Sequence, residues 1–461
     1  MNRSAVDLTT RNFHQMLGTL IAGAGAAGLG PLIAAARLGK LDDWLDQGLT
    51  VIDKGDAWGG AIGRYNVNAD TMATTFLECL EGHALGELFH PVREHETTKR
   101  LKEWRHGMPP LALIGDYMAD LGQTLQDYVT RHHSGSSQRN TALSSIHLKA
   151  DGTIEARLAP ISGRGMTESI RAKTLVLALG GYQDFGQTAM LELYPGVNLR
   201  SLDPAKIMMS DRLLGPAGVR EALRVLGSRP GCRVVILGGS HSAFSAAWVL
   251  TNLMPPEMFS AGSIRLLHRG RLQIFYPSAE EALMDGYKDF TADDICPVTR
   301  RVFRLGGLRG DGRQLWRSVS GLAGTEPETR VAVQRMNMFS PSQLRAHLQE
   351  ADLIICALGY RAHTVPVFDP RGRPVPLMAD LGQRSVDSGC HVRRADGRAL
   401  PNLFSLGLAS GYLPHGRMGG EASFIGQQNS LWLYQNDIGH TVYRGVQHCL
   451  RGSLMPALRF S

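Results

Sequence analysis

The sequence predicts an α/β protein with parallel sheets and two Rossmann-type dinucleotide-binding domains. Three observations carry this: two strand–glycine turn–helix–strand units far apart in the chain, two further apolar strands that end in glycine, and an excess of glycine overall. At 461 residues the chain exceeds the roughly 100–200 of one domain, so two or three domains are expected. Hydrophobic residues at 43% and charged residues at 20% are ordinary for a globular protein and exclude disorder. The 53 glycines follow no Gly-X-Y period, so many are expected at tight turns or close to a ligand.

In chain order, Leu17–Ala22 is an apolar strand, a glycine cluster follows, and an alanine-rich helix runs to about Leu38 before the strand Leu49–Asp53. Leu17–Ala36 follows Arg3 and Arg11 and is nearly free of polar side chains. Its glycines and Pro31 nevertheless suit a dinucleotide turn better than a signal peptide or membrane span, so no stable membrane insertion is expected. Residues 61–170 are mixed, with a helix near 115–132, a polar loop over Ser134–Asn140 and a small insertion of alternating β segments. Lys173–Gly181 is a buried parallel strand ending in glycines. The second unit comprises the strand Cys232–Leu237, a turn at Gly238, a helix to about Leu253 and the strand Ser263–His268. An arginine-rich stretch over 270–345 is left unassigned; the strand Ala351–Gly359, the segment Pro401–Gly407 and a final helix from about Gly420 complete the chain. The expected division is 1–225 and 361–461 for a first dinucleotide domain and 226–360 for a second, with 270–345 inserted in it.

Gly23-Ala-Gly25-Ala-Ala-Gly28 matches G-x-G-x-x-G between a strand and a helix. The first glycine allows the turn, the second lets a pyrophosphate approach the backbone, and the third lets helix pack on strand. Asp53, followed by Lys54, closes the next strand and is placed to accept hydrogen bonds from ribose hydroxyls. Trp58-Gly59-Gly60 offers further glycines for close approach to the same ligand. The second turn, Gly238-Gly-Ser240-His241-Ser242-Ala243, replaces two of the motif's glycines with serine and alanine. The strand after it ends not in an acid but in His268-Arg269-Gly270-Arg271, cations where a 2′-phosphate would lie, which favours NADPH over NADH.

Other classes are excluded or disfavoured. The net charge of +7 and pI near 9.2 are not concentrated in any basic tract, so no nucleic-acid partner is expected. Six dispersed cysteines without a C-x-x-C argue against a redox dithiol or a disulfide scaffold and suit buried thiols in the cytoplasm. Adjacent His132 and His133 are expected at the surface, and no metal site is expected. Oligomeric state is left open, a homo-oligomer included.

Taken together, the two units and the strands ending at Gly181 and Tyr360 resemble the class B flavin-dependent monooxygenases, and within them the branch that N-hydroxylates primary amines. Asp352–Tyr360 is similar to that group's Ala-Thr-Gly-Tyr signature, with Leu358 in place of threonine, which assigns Gly359 and Tyr360 to the cofactor cleft. Gly28-Leu-Gly30-Pro31 is an alternative register for the group's G-x-G-P element, and Leu413-Pro-His415-Gly416 is similar to its His-Gly segment beside the flavin, with Arg417 next to it. The Baeyer-Villiger fingerprint F-x-G-x-x-x-H is absent, and Gly407 is followed by Leu408 where an aspartate is usual. The resemblance implies FAD on the first unit, NADPH on the second, a C4a-hydroperoxyflavin, and O2 with a small amine or amino-acid-derived molecule as co-substrates. A flavin-linked NAD(P)H oxidoreductase that passes electrons on without inserting oxygen is the alternative. A third reading is a FAD-binding protein whose second motif no longer binds nucleotide.

Overall fold

The computed structural model describes residues 16–81, 88–163, 166–227, 229–426 and 430–452. Strand β1 (Leu17–Ala22), helix α1 (Ala26–Arg37) and strand β2 (Leu49–Ile52) form the first βαβ unit, and both strands are almost wholly buried. Leu17–Ala36 is therefore core strand and helix, and among the described residues no helix is long and apolar enough to cross a membrane. Arg3 and Arg11 lie outside the described residues.

Helix α2 (Leu111–Arg131) presents an apolar face every three to four residues and packs under the sheet. It leads into β3 (Gly135–Gln138), which pairs parallel with β2. This corrects the expected loop at Ser134–Asn140. An edge strand need not be apolar, and here Ser136 Oγ lies 2.7 Å from Thr50 Oγ1, so the serines carry no hydrophobic signal. The expected alternating insertion is an antiparallel meander of β4 (Thr141–Leu148), β5 (Ile154–Pro160) and β6 (Glu168–Leu177). β6 then continues past β5 and pairs parallel with β1 through Ala22↔Leu177.

A two-residue strand β7 (Gly181–Tyr182) begins the crossover to the second sheet, which contains β8 (Ile207–Met209), β9 (Val234–Leu237), β10 (Ile264–His268), β11 (Val331–Arg335) and β12 (Leu353–Cys356) in the all-parallel order β11-β10-β9-β12-β8. Helix α3 (His241–Leu253) follows β9, and α4 (Gly310–Val319) packs against it. The sheet starts ahead of residue 226, because its edge strand is recruited on the outward crossover, and β11 lies inside the stretch expected as an insertion. Residues 270–310 are no appendage: Ile274, Tyr276, Val302, Phe303 and Leu308 are buried in the core of this sheet.

The chain returns through β13 (Arg361–Ala362), paired with β7, and adds β14 (Val367–Phe368), β15 (His391–Arg393) and β16 (Ala399–Ser405) to the first sheet. β16 pairs parallel with β6, so the parallel part of that sheet reads β3-β2-β1-β6-β16, the plan of the second sheet for four strands, with the fifth supplied from the end of the chain rather than from the outward crossover. The final helix begins at Leu431 rather than near Gly420, and a π-helical turn over Tyr434–Ile438 joins it to α5 (Gly439–Arg451). Residues 416–426 are held instead by contacts to the second unit: Glu421 accepts hydrogen bonds from the Leu305 and Gly306 amides, and Ser423 N donates to Asp293 O.

α1 and the π turn touch backbone to backbone, and a Cβ on Gly30 would lie 2.3 Å from the Tyr434 carbonyl oxygen. Gly30→Val should therefore destabilise the apoprotein by about 2 kcal/mol, read as a lowered urea midpoint, through forced separation of these helices. An unchanged midpoint would show that the contact yields without cost.

Candidate active site

The two glycine turns are built alike. Gly23 has φ +105°, and a Cβ there would lie 2.2 Å from the Ala178 carbonyl oxygen at the end of β6. Gly238 has φ +142°, and its Cβ would lie 2.5 Å from the Ala357 carbonyl oxygen at the end of β12. Only glycine meets both demands. In the first turn a Cβ on Gly28 would meet the Gly23 carbonyl oxygen at 1.8 Å; in the second, fully buried Ala243 takes that position. Gly23 and Gly25 make the turn, Gly28 packs on it from the first coil of α1, and Gly30 and Pro31 lie further along that helix. Gly25 and Ser240 are the N-caps of α1 and α3, and neither helix end has a side-chain cap, so first-turn N–H groups remain to face an anion.

Around the first turn, the Asp53 carboxylate accepts hydrogen bonds from Ala24 N (2.5 Å) and Gly55 N (2.6 Å), tying the end of β2 to the turn. Gly59 N donates to Ala24 O, and Gly59 bridges to Gly25, where an added Cβ would touch Gly60 Cα at 3.5 Å, an ordinary contact. Trp58, only 2% exposed, leaves its Nε1–H without a hydrogen-bond partner. Gly407 packs on Ala27 at the start of α1. A cavity of about 260 Å³ opens over the C-terminal ends of β1, β2 and β6, lined by Gly23, Asp53, Lys54, Leu179 and His363 among others. His415, Gly416 and Arg417 form an exposed turn.

Around the second turn, His268 is buried, with Nδ1 2.7 Å from the Gly270 carbonyl oxygen, and burial pushes its pKa down. Arg271 does not reach toward a ligand: its guanidinium donates to the fully buried Asp294 carboxylate at 2.7 Å and lies over Phe303. Arg269 is exposed. Two other cations near His268 could not be read from the sequence. Arg335 lies opposite His268 in the β10–β11 register, and with Lys288 and Trp316 it lines a cavity of about 490 Å³ at the C-terminal ends of those strands. Ser242 lies in the first turn of α3, partly exposed.

Between the two sheets, Asp211 accepts hydrogen bonds from Arg64 (2.8 Å), Tyr65 Oη (2.5 Å) and Tyr360 Oη (3.1 Å). Burial, with Asp211 beside it, pushes the Tyr360 pKa far up. Gly359 leaves the space beside its Cα open, and Gln183 donates weakly to its carbonyl. Five of the six cysteines are buried, and all are unpaired. His133 is exposed (76%), but His132 is largely covered (17%), and with Asp46 the pair brings three ligand atoms within 4.8 Å of one another, a grouping that sequence spacing did not suggest.

A fold with two such turns on two parallel sheets, the second threaded into the first, defines a flavoprotein that handles two dinucleotides. No protein-family model matches the chain. A hydroxylase of Streptomyces rubellomurinus, acting on CMP-5′-(3-aminopropyl)phosphonate, is 31% identical over 445 residues, 93% of this chain and 97% of that one. Among solved structures, the ornithine N-hydroxylase of Kutzneria sp. 744 matches 94% of this chain and 99% of its own at 13% identity and a TM-score of 0.53. The FAD-bound cadaverine monooxygenase of Erwinia amylovora matches 97% of each chain at 10% identity and a TM-score of 0.54. The chain belongs to the family of that aminopropylphosphonate hydroxylase, and it shares the fold of the flavin-dependent N-hydroxylating monooxygenases.

The Arg271–Asp294 pair separates structure from cofactor choice. Burial raises the Asp294 carboxyl, but hydrogen bonds from Thr291 and Arg271 outweigh it and hold the pKa below the ordinary value. Such a group stabilises the fold above the unfolded carboxyl pKa and loses that contribution as pH falls through the lowered value. Arg271→Ala should cost about 2 kcal/mol at pH 7, with the difference shrinking below about pH 4, and should leave the NADPH-to-NADH preference unchanged. Urea melts at both pH values and steady-state kinetics with both nucleotides check this.

Proposed function

We propose that this chain N-hydroxylates the primary amine of an aminoalkylphosphonate, free or nucleotide-linked, with NADPH and O2. The observation that carries it is the near full-length similarity to a hydroxylase of a CMP-linked aminopropylphosphonate.

In this proposal FAD lies along the first turn. Asp53 and Lys54 hold its adenosine end in the 260 Å³ cavity, Gly23, Gly25 and Gly28 bring its pyrophosphate onto the α1 N-terminus, and Trp58, Gly59 and Gly60 cover the next stretch, where the unpartnered Trp58 Nε1–H supplies a donor. Gly407, His415 and Gly416 stand on the flavin side, and Gly359 and Tyr360 on the nicotinamide side. NADPH lies along Gly238, Ser240, His241 and Ser242, with its adenosine in the 490 Å³ cavity beside Trp316 and His268, and its 2′-phosphate between Arg269, Lys288 and Arg335. Bound FAD, reduced by NADPH, supplies the activated oxygen. The protein's part is to orient both dinucleotides, exclude water and present the amine. The unpaired thiols fit a reducing compartment, and a cytoplasmic enzyme is part of this proposal.

The test supplies NADPH and oxygen with 3-aminopropylphosphonate in one arm and its CMP conjugate in the other, and follows hydroxylamine by mass spectrometry against hydrogen peroxide. Product in either arm identifies the substrate form; peroxide alone in both refutes the proposed substrate class. Gly25→Ala, whose Cβ would make only ordinary contact within the protein, should fold normally but lower FAD affinity at least about tenfold by equilibrium dialysis. Lys288→Ala with Arg335→Ala should raise KM for NADPH about tenfold and leave KM for NADH within about twofold.

A further inference from the structure

The loop at residues 67–70 of the first unit meets α3 and α4 of the second around a pocket of about 20 Å³, lined by Asn68, Asp70, His241, Trp248, Arg309 and Asp311 among others. Both walls continue from the cofactor turns. Gly238–Ser240 runs directly into His241, and Trp58–Gly60, which touches Gly25, leads along the chain to Asp70. The volume admits one water-sized group. An unsubstituted amino group fits; a phosphonate, a ring or an N-alkylated amine does not.

The lining suits such a group. His241 is the first residue of α3; its side chain is 35% exposed, but Nε2 is buried, makes no hydrogen bond, and lies 3.4 Å from Asp70 Oδ2. From α4 and its N-cap come Asp311, which accepts a hydrogen bond from Asn68 (2.9 Å), and Arg309, whose Nε is buried and unpartnered. Burial lowers the imidazole pKa, with Arg309 adding to this and Asp70 opposing it, so the ring is neutral at physiological pH. An alkylammonium has no lone pair on nitrogen and must lose a proton before that nitrogen can bond to oxygen.

We propose that this pocket seats the primary amino group of the substrate and that His241 Nε2 takes the proton from its ammonium, with Asp70 stabilising the imidazolium. The inference rests on the N-hydroxylating reading above. The N–H bond breaks, its electron pair stays on nitrogen, and that pair forms the bond to one oxygen atom of O2. NADPH supplies the two balancing electrons, and the second oxygen leaves as water. The pocket is also a size filter, since a methyl on nitrogen would not enter.

The test compares full-length wild type, His241→Gln and Asp70→Asn. In wild type, kcat/KM for the amine should rise through an acid limb below about pH 6.5 and then level off. In His241→Gln it should fall about 100-fold at pH 7 and recover about tenfold per pH unit toward the pKa of the amine itself, as solvent takes over deprotonation. A merely structural role would lower the profile without tilting it. In Asp70→Asn, which removes the charge that raises the imidazole pKa, the acid limb should move to lower pH. Independently of turnover, the His241 ring resonance, assigned by its loss in His241→Gln, should shift with 3-aminopropylphosphonate or its CMP conjugate but not with the N,N-dimethyl derivatives. An untilted profile in His241→Gln, or a resonance that responds to neither or equally to both, overturns the proposal. If wild type turns over neither amine, the substrate reading fails, and the resonance alone decides the pocket.

Discussion

The arrangement depends on two backbone contacts, Gly23 against the Ala178 carbonyl and Gly238 against the Ala357 carbonyl. Each occurs where a parallel strand hands over to a helix beside the end of the neighbouring strand, and each leaves no room for a Cβ. The close approach sets each helix N-terminus at the C-terminal edge of its sheet, so uncapped amides and a dinucleotide crevice share one place. Both strands that supply the carbonyl end Ala-Leu-Gly, Ala178–Gly180 and Ala357–Gly359. The turns, the order of the first four strands and these endings are one design used twice.

Used twice, the design must still hold its two crevices in fixed relation, since in the proposed function a hydride would pass between their ligands. The chain crosses between sheets on either side of β8 to β12, and the crossings are tied together. β7 pairs with β13, and Asp211, just past β8, collects hydrogen bonds from Arg64 and Tyr65 of the first unit and Tyr360 of the return crossing. Glu421 adds a second tie by accepting two backbone N–H groups from 305–306, a partly buried charge-assisted contact. The small pocket of Asp70, His241 and Arg309 lies at this same junction.

Charge is apportioned by burial. Arg271 serves a fully buried carboxylate and Arg317 a largely covered Asp285, so these arginines hold the second core together. Lys288 and Arg335 stay at a cavity mouth, Arg335 paired there with half-exposed Asp289, so their charge is open to a ligand rather than committed to the core. The basic balance of the chain is therefore partly structural and partly available to anions, a division that composition does not reveal.

The local parts of this protein are legible in its sequence. Both βαβ units, the glycine turns with Asp53 at the end of β2, the long helix at 111–131 and the antiparallel meander follow from short-range periodicity and turn chemistry. Strand β3 is not legible because an edge strand of serines shows no hydrophobic period, and the start of the C-terminal helix is not legible because Glu421 and Ser423 are held by residues more than a hundred positions away. The arginine beside His268 proved to be a matter of pairing: Arg335 reaches it only through the β10–β11 register, while adjacent Arg271 is drawn off by Asp294. The sequence by itself determined what each segment could become and which turns could receive a phosphate. Only the tertiary structure decided which cations and acids face a cavity, because that depends on partners brought together by sheet register and domain crossing rather than by neighbours along the chain.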